Sequence, residues 1–295
     1  ATIGKCGIVE KNNLPANTNQ ALAILRVKQE VLNPYFLLNI LDSRVMKKYI
    51  FLNISVGAQP NLNLEQMNNF NFNIPSKIEQ DKIIKMINLV NKKIEFQTKK
   101  IEDLKLFKKG LITEAKKGKS DWDEFYIKDI FKITRGIVIP KMELTDTITN
   151  ENIYPVYSSQ TSNEGILGYD KKYDFDGKYL TWTTDGANAG SVFYRNGKFR
   201  CTNVCGVLYN ENNNYINEMV AELLNLETPK YVSYVGNPKL MNNVMADIKI
   251  QLPNLNIQSK IATNLKLLNN KIILETKKLN KLQKLKKGLI QNMFV

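Results

Sequence analysis

Apolar side chains recur at alternating intervals of four and three residues along two stretches of the chain. The first ladder runs Ile83, Ile87, Val90, Ile94, Gln97, Ile101, Leu104. The second repeats it 178 residues later as Ile261, Leu265, Leu268, Ile272, Glu275, Leu279, Leu282. A period of 3.5 residues held over about four heptads is the signature of a coiled-coil seam. Lys, Glu, Asn and Gln fill the positions between. The pattern predicts two helices of about 40 residues, each about 60 Å long. Both start alike, with Pro75-Ser76 and Pro253-Asn254 ahead of the run and Gln80 or Gln258 a few residues inside. Ser and Asn there can accept hydrogen bonds from the unpaired backbone donors of a first turn. Both end on the same KKGLI, at Lys108–Ile112 and Lys286–Ile290. Gly110 and Gly288 in those last turns would loosen the helix or permit close packing.

The repeat extends upstream of the helices. MNNFNFNIP from Met67 matches MADIKIQLP from Met245. Alternation at Phe70, Phe72, Ile74 and at Ile248, Ile250, Leu252 predicts a half-buried strand leading into each helix. SVGAQPNLN from Ser55 resembles YVGNPKLMN from Tyr234, and NTNQALAIL from Asn17 resembles CTNVCGVLY from Cys201. The amino-terminal ATIGKCGIV resembles TTDGANAGSVF from Thr183. The chain therefore reads as two copies of one unit, a strand-rich globular domain followed by a long helix. The first copy lacks the counterpart of about residues 121–182. Truncation, proteolysis, a permuted gene and a missing partner segment all account for that. The expected fold class is α/β (α+β). Its parts are a partial first domain (1–75), helix (76–118), second domain (119–252) and helix (253–295). The two helices are expected to pair antiparallel, with Gln97 and Glu275 meeting across the seam, because polar seam residues can fix register.

Composition narrows the function. The 42 Lys and Arg residues outnumber 28 acidic ones for a net charge of +14. Such a surplus favours a polyanionic partner such as a nucleic acid, the competing reading being a Lys/Asn/Ile-rich genome bias with much of the Lys on solvated helix faces. There is no histidine, which removes the commonest general base and the usual nucleophile pairs. The three cysteines, Cys6, Cys201 and Cys205, have neither a second ligand pair nor histidine beside them, so no metal site is expected. An odd cysteine count without a leader-like segment fits reduced thiols in the cytoplasm. No apolar run reaches membrane-spanning length.

Two like domains on paired helices hold two surfaces at a set separation, and on DNA about 34 Å is one helical turn. At this point the chain resembles the specificity subunit of type I restriction-modification systems. The resemblance is carried by IPSKIEQDKI…LFKKGLITEAKKG, LPNLNIQSKI…LKKGLIQNMF and the domain opening DWDEFYIKDIFKITRGIVIP. It is carried also by YPVYSSQTSNEGILGYDKKYDFDGKYLTWTTDGANAGSVF, which is similar to the family's target recognition domains. The resemblance implies two target recognition domains, each binding half of a bipartite DNA sequence. It implies that the paired helices dock modification methyltransferase subunits, two in number, with restriction subunits joining them. This chain would carry no catalysis and no cofactor, since S-adenosylmethionine, ATP and magnesium would belong to the partner subunits. The alternatives are a coiled-coil interaction protein, the specificity part of a fused restriction-methylation enzyme, or the methyltransferase or nuclease itself.

Base edges are read by Asn, Gln, Arg, Lys, Ser and Thr presented on loops. The candidates in the second domain are Arg135, Lys141, Ser158, Ser159, Gln160, Thr161, Thr183, Asn188, Asn237 and Lys239. In the first they are Lys5, Asn19 and Gln59. The competing reading is that they are ordinary turn residues, which Asn and Ser favour anyway. Trp182, in an alternating strand, is expected in the core. NPYF from Asn33 has some likeness to a methyltransferase signature, but reads better as a helix N-cap with proline at the first position. Asp170, Asp174 and Asp176 are read as turn and cap residues.

Overall fold

A computed structural model of the chain describes residues 3–54, 61–117 and 122–294. In chain order it places α1 (Pro34–Asp42), α2 (Arg44–Asn53), α3 (Leu64–Asn68) and the long α4 (Lys77–Lys117). Then come β1 (Asp123–Tyr126), α5 (Ile127–Ile130), β2 (Lys132–Arg135), β3 (Tyr154–Tyr157), β4 (Ile166–Asp170), β5 (Phe175–Thr183), β6 (Val192–Cys201) and β7 (Cys205–Tyr209). The chain closes with α6 (Glu218–Glu227), α7 (Asn242–Ala246), β8 (Lys249–Leu252) and the long α8 (Leu255–Met293). It divides into two compact units, residues 1–103 with 273–295, and residues 104–272.

Both long helices begin where the polar residues predict. Ser76 and Glu79 exchange hydrogen bonds in a capping box, with the Ser76 amide donating to the Glu79 carboxylate at 3.0 Å. Asn254 accepts from the Ile257 amide at 3.0 Å. Inside each first turn a buried glutamine ties the helix to the module before it. Gln80 donates to the Pro75 and Val31 carbonyls and accepts from the Asn33 amide. Gln258 donates to the Pro253 carbonyl and accepts from the Asn217 side chain. Asn33 and Asn217 are themselves the N-caps of α1 and α6, and Pro34 opens α1. The repeat is thus written into matching hydrogen bonds as well as matching letters.

In the first unit, Gln97 donates to the Glu275 carboxylate at 2.6 Å and to the Glu275 carbonyl at 3.0 Å. Lys100 and Lys278 add ion pairs to the same carboxylate at 3.0 and 3.1 Å. Ile84 and Ile87 share a core cluster with Ile290, Phe294 and the α1 residues Phe36 and Ile40. The α4 and α8 segments here run antiparallel, since 87 lies with 290 and 97 with 275. The Gln97 hydrogen bond first, then the two ammonium groups, pull the Glu275 pKa from 4.5 down to about 2. A carboxylate depressed in the folded state contributes stability that is full above its unfolded pKa and is lost as pH falls through the folded one. The advantage of the parent chain over Glu275→Gln in urea midpoint is therefore expected to shrink as pH drops from about 4.5 to about 2. Parallel titration curves for the two chains would contradict it.

In the second unit, Lys108 bridges to Glu222 of α6 at 2.8 Å and to the Asn269 side chain, and Lys116 bridges to Glu227 at 2.5 Å. Ile112, Ala262 and Leu265 join the main core with α6 residues Met219, Val220 and Leu223. The half-buried Trp122 packs on that core. Along the ladders, Ile87, Val90, Gln97, Ile101, Leu265, Leu268 and Glu275 are buried. Ile83, Ile94, Leu104, Ile261, Ile272, Leu279 and Leu282 are half-buried. Near the helix ends the buried position slips one residue, to Ile84, Ile112, Ala262 and Ile290. A helix of 3.6 residues per turn drifts about 20° per heptad against a strict 3.5 repeat, and here the drift turns the apolar face onto the globular modules. Both glycines sit inside continuous helix, and a Cβ on either would meet nothing within 4 Å, so neither serves close packing.

The strand-rich module occupies the second unit. Six strands form one sheet in the order β2-β7-β5-β6-β3-β4, antiparallel except for the parallel β3–β6 pair, and β1 pairs with β8 in a separate two-stranded ladder. Trp182 on β5 is 1% exposed and donates to the Leu240 carbonyl at 3.0 Å. The fold thus mixes long helices with a β-rich module, but the strand expected at Phe70–Ile74 is absent. Residues 70–76 belong to no helix or ladder, while β8, the counterpart of 71–74, is a strand. The physical reason is the partner: β8 pairs with β1, and the repeat counterpart of β1 is not among these 295 residues. A strand exists only where another segment takes up its hydrogen bonds. No strand occurs among the described residues before β1.

Candidate nucleic-acid interface

The short connection between β6 and β7, Thr202–Val204, is the hub of the candidate surface. Gly136 follows β2, and a Cβ there would meet the Cys201 carbonyl oxygen at 2.1 Å, so only glycine lets this strand exit pass the end of β6. The Ile137 amide then donates to the Cys201 carbonyl at 3.1 Å, which ties the exit of β2 to the end of β6. The Thr202 amide donates to the Tyr157 carbonyl, and its hydroxyl donates to Ser158 Oγ at 2.9 Å. On the other side the Thr184 amide donates to the Val204 carbonyl at 3.1 Å. Gly186 donates to the Pro238 carbonyl and Leu240 to the Thr184 carbonyl, which adds the 233–239 loop. Thr228 on the segment after α6 pins Gly190 from behind, its hydroxyl donating to the Gly190 carbonyl at 2.7 Å. Four loops, 135–141, 158–165, 184–190 and 233–239, are thus tied directly or in relay to one three-residue turn.

Most of the candidate side chains lie on these loops. Arg135, Lys141, Thr161, Asn188, Asn237 and Lys239 are exposed, and Ser158, Ser159 and Gln160 are half-buried. Lys239 stands 3.9 Å from the Asp185 carboxylate, and Gln160 donates inward to the Ile166 carbonyl. Thr183 is different. It is 1% exposed, its hydroxyl donates to the Asn188 carbonyl and accepts from the Ser191 amide at 3.1 Å. It shapes the 184–190 loop from within and presents nothing to a ligand, as do the buried Thr181 and Thr184. In the first unit Lys5 and Asn19 are exposed, while Gln59 lies outside the described residues.

Two residues on this surface went unmarked by sequence. Asn203 is exposed at the centre of the hub, and the tight CTNVC turn was its only signal. Arg195 is 6% exposed and has no carboxylate partner among the described residues. Its guanidinium lies 3.5 Å from the Tyr157 ring centroid and 4.5 Å from that of Phe193. It donates to Thr181 Oγ1 at 3.1 Å and to the Glu164 carbonyl at 2.7 Å. Burial pushes its pKa down, and the two aromatic faces and two oxygens compensate the desolvated charge. The acidic trio has a structural use: Arg200 pairs with Asp170 at 2.5 Å and with Asp174 at 3.0 Å, while Asp176 stays exposed. Cys201 and Cys205 are free, buried thiols 3.4 Å apart in an aromatic cluster. Among the described residues no group of three or more Cys, Asp or Glu could hold a metal, and no helix is long and apolar enough to cross a membrane.

One β-rich module with converged polar loops, together with two long helices whose starts repeat the same hydrogen bonds, points to a protein that reads sequence. The family described as the type I restriction modification DNA specificity domain matches residues 1–106 and 119–284, and the chain belongs to it. It is 37% identical over 209 residues to a Mycoplasma pneumoniae protein named as a type I specificity subunit, covering 69% of this chain and 76% of that one. It is 46% identical over 142 residues to the specificity subunit of the M. pneumoniae type I restriction enzyme MpnII, covering 48% of this chain and 42% of the relative. In fold it is similar to the crystal structure of a type I restriction-modification S subunit from M. genitalium. That match has a TM-score of 0.63 at 15% identity and covers 91% of this chain and 74% of the other.

Proposed function

We propose that this chain reads DNA sequence for a type I restriction-modification complex and holds no catalytic centre of its own. The observation that carries the reading is the convergence of polar loops on Thr202–Val204 in a chain of this family. Arg135, Lys141 and Lys239 supply phosphate contacts at its rim, and Ser158, Ser159, Gln160, Thr161, Asn188, Asn203 and Asn237 offer base-edge donors and acceptors. Residues 119–252 act as one recognition domain and residues 1–75 as the rear half of another, so that a complete pair reads a bipartite target. Lys5 and Asn19, with Gln59, belong to the second half-site. The helices 76–118 and 253–295 present exposed Lys92, Lys93, Lys99 and Lys277 to modification subunits, and the restriction subunits join that assembly. S-adenosylmethionine, ATP and magnesium enter with those partners.

Duplex binding tests the reading directly. Each phosphate contact lowers log K by about 0.9 per tenfold rise in salt, so several contacts give a steep slope. A flat salt response would favour a coiled-coil interaction protein without a DNA role. Methyl transfer to DNA by the purified chain alone would instead make it an enzyme. Mapping methylated adenines in cells carrying this gene and a modification partner is expected to return one split motif with a constant spacer.

A further inference from the structure

Cys201 closes β6 and Cys205 opens β7, with the Thr202–Val204 hub between them. The two sulfurs lie 3.4 Å apart, and the residues are 0% and 2% exposed. Phe199, Phe175 and Tyr157 belong to the same cluster. The buried Arg195 guanidinium, which has no carboxylate partner among the described residues, places its positive charge on both thiols. The hydrogen bond with Cys201 first, and then the Arg195 charge, pull the Cys205 pKa down against burial. Burial first, and then Cys205, push the Cys201 pKa up. The pair is thus divided into one thiol inclined to ionise, the form that attacks an oxidant, and one that keeps its proton. Asn203, the middle residue of the connection, is exposed, so the chain between the two thiols reaches solvent.

We propose that Cys201 and Cys205 form a reversible oxidation site, converted by hydrogen peroxide from two thiols to an intrachain disulfide that shifts the loops tied to Thr202–Val204. The Cys205 thiolate attacks one peroxide oxygen, the O–O bond breaks, and the departing hydroxide takes up the proton Cys205 released. Cys205 is then a sulfenic acid. The Cys201 sulfur attacks it, the S–O bond breaks, and the Cys201 proton leaves with the oxygen as a second water. The two thiols have lost two electrons and two protons, and one peroxide has been reduced to two waters. Bond formation draws the sulfurs from 3.4 Å to about 2.0 Å. The backbone has little room to absorb that movement. The Cys201 and Cys205 carbonyls hold the Ile137 and Gly136 amides at 3.1 and 3.0 Å, and the Val204 carbonyl holds the Thr184 amide at 3.1 Å. Gly136 passes so close to the Cys201 carbonyl that even a Cβ would overlap it. The oxidised connection therefore moves against the 135–141 and 184–190 loops and weakens those hydrogen bonds. This is the surface assigned above to DNA, but the chemistry does not depend on what the surface binds.

The test treats the full chain with hydrogen peroxide, then alkylates it under denaturing conditions and reads the tryptic peptide Cys201–Lys230. That peptide is expected lighter than the dithiol form by a pair of hydrogens and closed to alkylation, and dithiothreitol should restore both thiols. A chain with the exposed Cys6 changed, Cys6→Ser, should oxidise in the same way. Hydrogen exchange at the Ile137 and Thr184 amides should quicken about fivefold on oxidation, the worth of one hydrogen bond, and return on reduction. Cys205→Ala, which cannot close the bond, should show no such response to peroxide. Should that variant not fold, oxidation and reduction of the parent chain carry the test by themselves. The inference is overturned if both thiols remain open to alkylation after peroxide, or if oxidation ends in a sulfinic or sulfonic acid or in a bond to Cys6. A disulfide that leaves exchange at both amides unchanged overturns it too. None of these readouts involves DNA, so such a failure is distinct from a failure of the DNA reading.

Discussion

Alanine at Gly206 is expected to destabilise the strand-rich module strongly. Gly206 lies on β7 directly opposite Trp182 of β5 in the ladder. A Cβ there would meet Trp182 ring atoms at 2.2, 2.3 and 2.4 Å, well inside contact distance. The ring has nowhere to go, because its indole nitrogen is hydrogen-bonded to Leu240 and its surroundings include Leu180, Val192 and Leu208, all at or below 3% exposed. Overpacking a close-packed core commonly destabilises by about 1–3 kcal/mol, and a rigid ring fixed on its far side puts this case at about 3 kcal/mol or more. Trp182→Ala, which removes the same ring, should destabilise by about 3–5 kcal/mol through the cavity left behind. Against a domain stability of about 5–15 kcal/mol, either change takes a large share. Tryptophan fluorescence melts check the first variant and near-ultraviolet circular dichroism the second. A Gly206→Ala chain melting within a degree or so of the parent would contradict the packing argument.

The second large effect is expected at Arg195. Glu164 and Asn163 both have positive φ, 55° and 49°, and Gly165 follows at 86°. Non-glycine residues in this region are each disfavoured by about 1–2 kcal/mol, so something must hold the loop. The holders are the Ser158 amide on the Gly165 carbonyl at 3.0 Å and the Arg195 guanidinium on the Glu164 carbonyl. Arg195→Met keeps the aliphatic stem between Tyr157 and Phe193 and deletes the donors. Losing a charged hydrogen bond is worth about 1.5–3 kcal/mol, and a desolvated cation–π contact about 2 kcal/mol. The 158–165 loop should relax, so duplex affinity should fall about tenfold or more while the rest of the β-module stays folded. Arg195→Lys should not restore it, because an ammonium cannot reach Thr181 and Glu164 together while stacking on Tyr157. Unchanged duplex affinity in both variants would remove the 158–165 loop from the reading surface.

The residues that were legible from sequence are those governed by short-range rules. A 3.5-residue period, a capping serine or asparagine, and Pro34 after Asn33 act within a turn or two of helix, so the two rods and their starts could be placed in advance. Gln97 and Glu275 could be matched because one repeat sets one register. The proposed reading surface was less legible. Thr183 looked like a loop donor, yet its hydroxyl closes its own loop. Arg195 sat unnoticed in a strand because the groups that give it a role, Tyr157 and Glu164, are 38 and 31 residues away. Thr202–Val204 became a hub only when four distant loops folded onto it.

Spacing and composition were enough to show one helix-bearing unit written twice in a basic chain with polar loops. Tertiary structure decided which letters became strands and which hydroxyls stayed outside. The physical reason is that a helix satisfies its backbone within itself, whereas a strand needs a second segment to complete it. Lys249–Leu252 found that segment in Asp123–Tyr126 and became a buried strand. Asn71–Ile74, nearly the same pattern, pairs with no strand among the described residues.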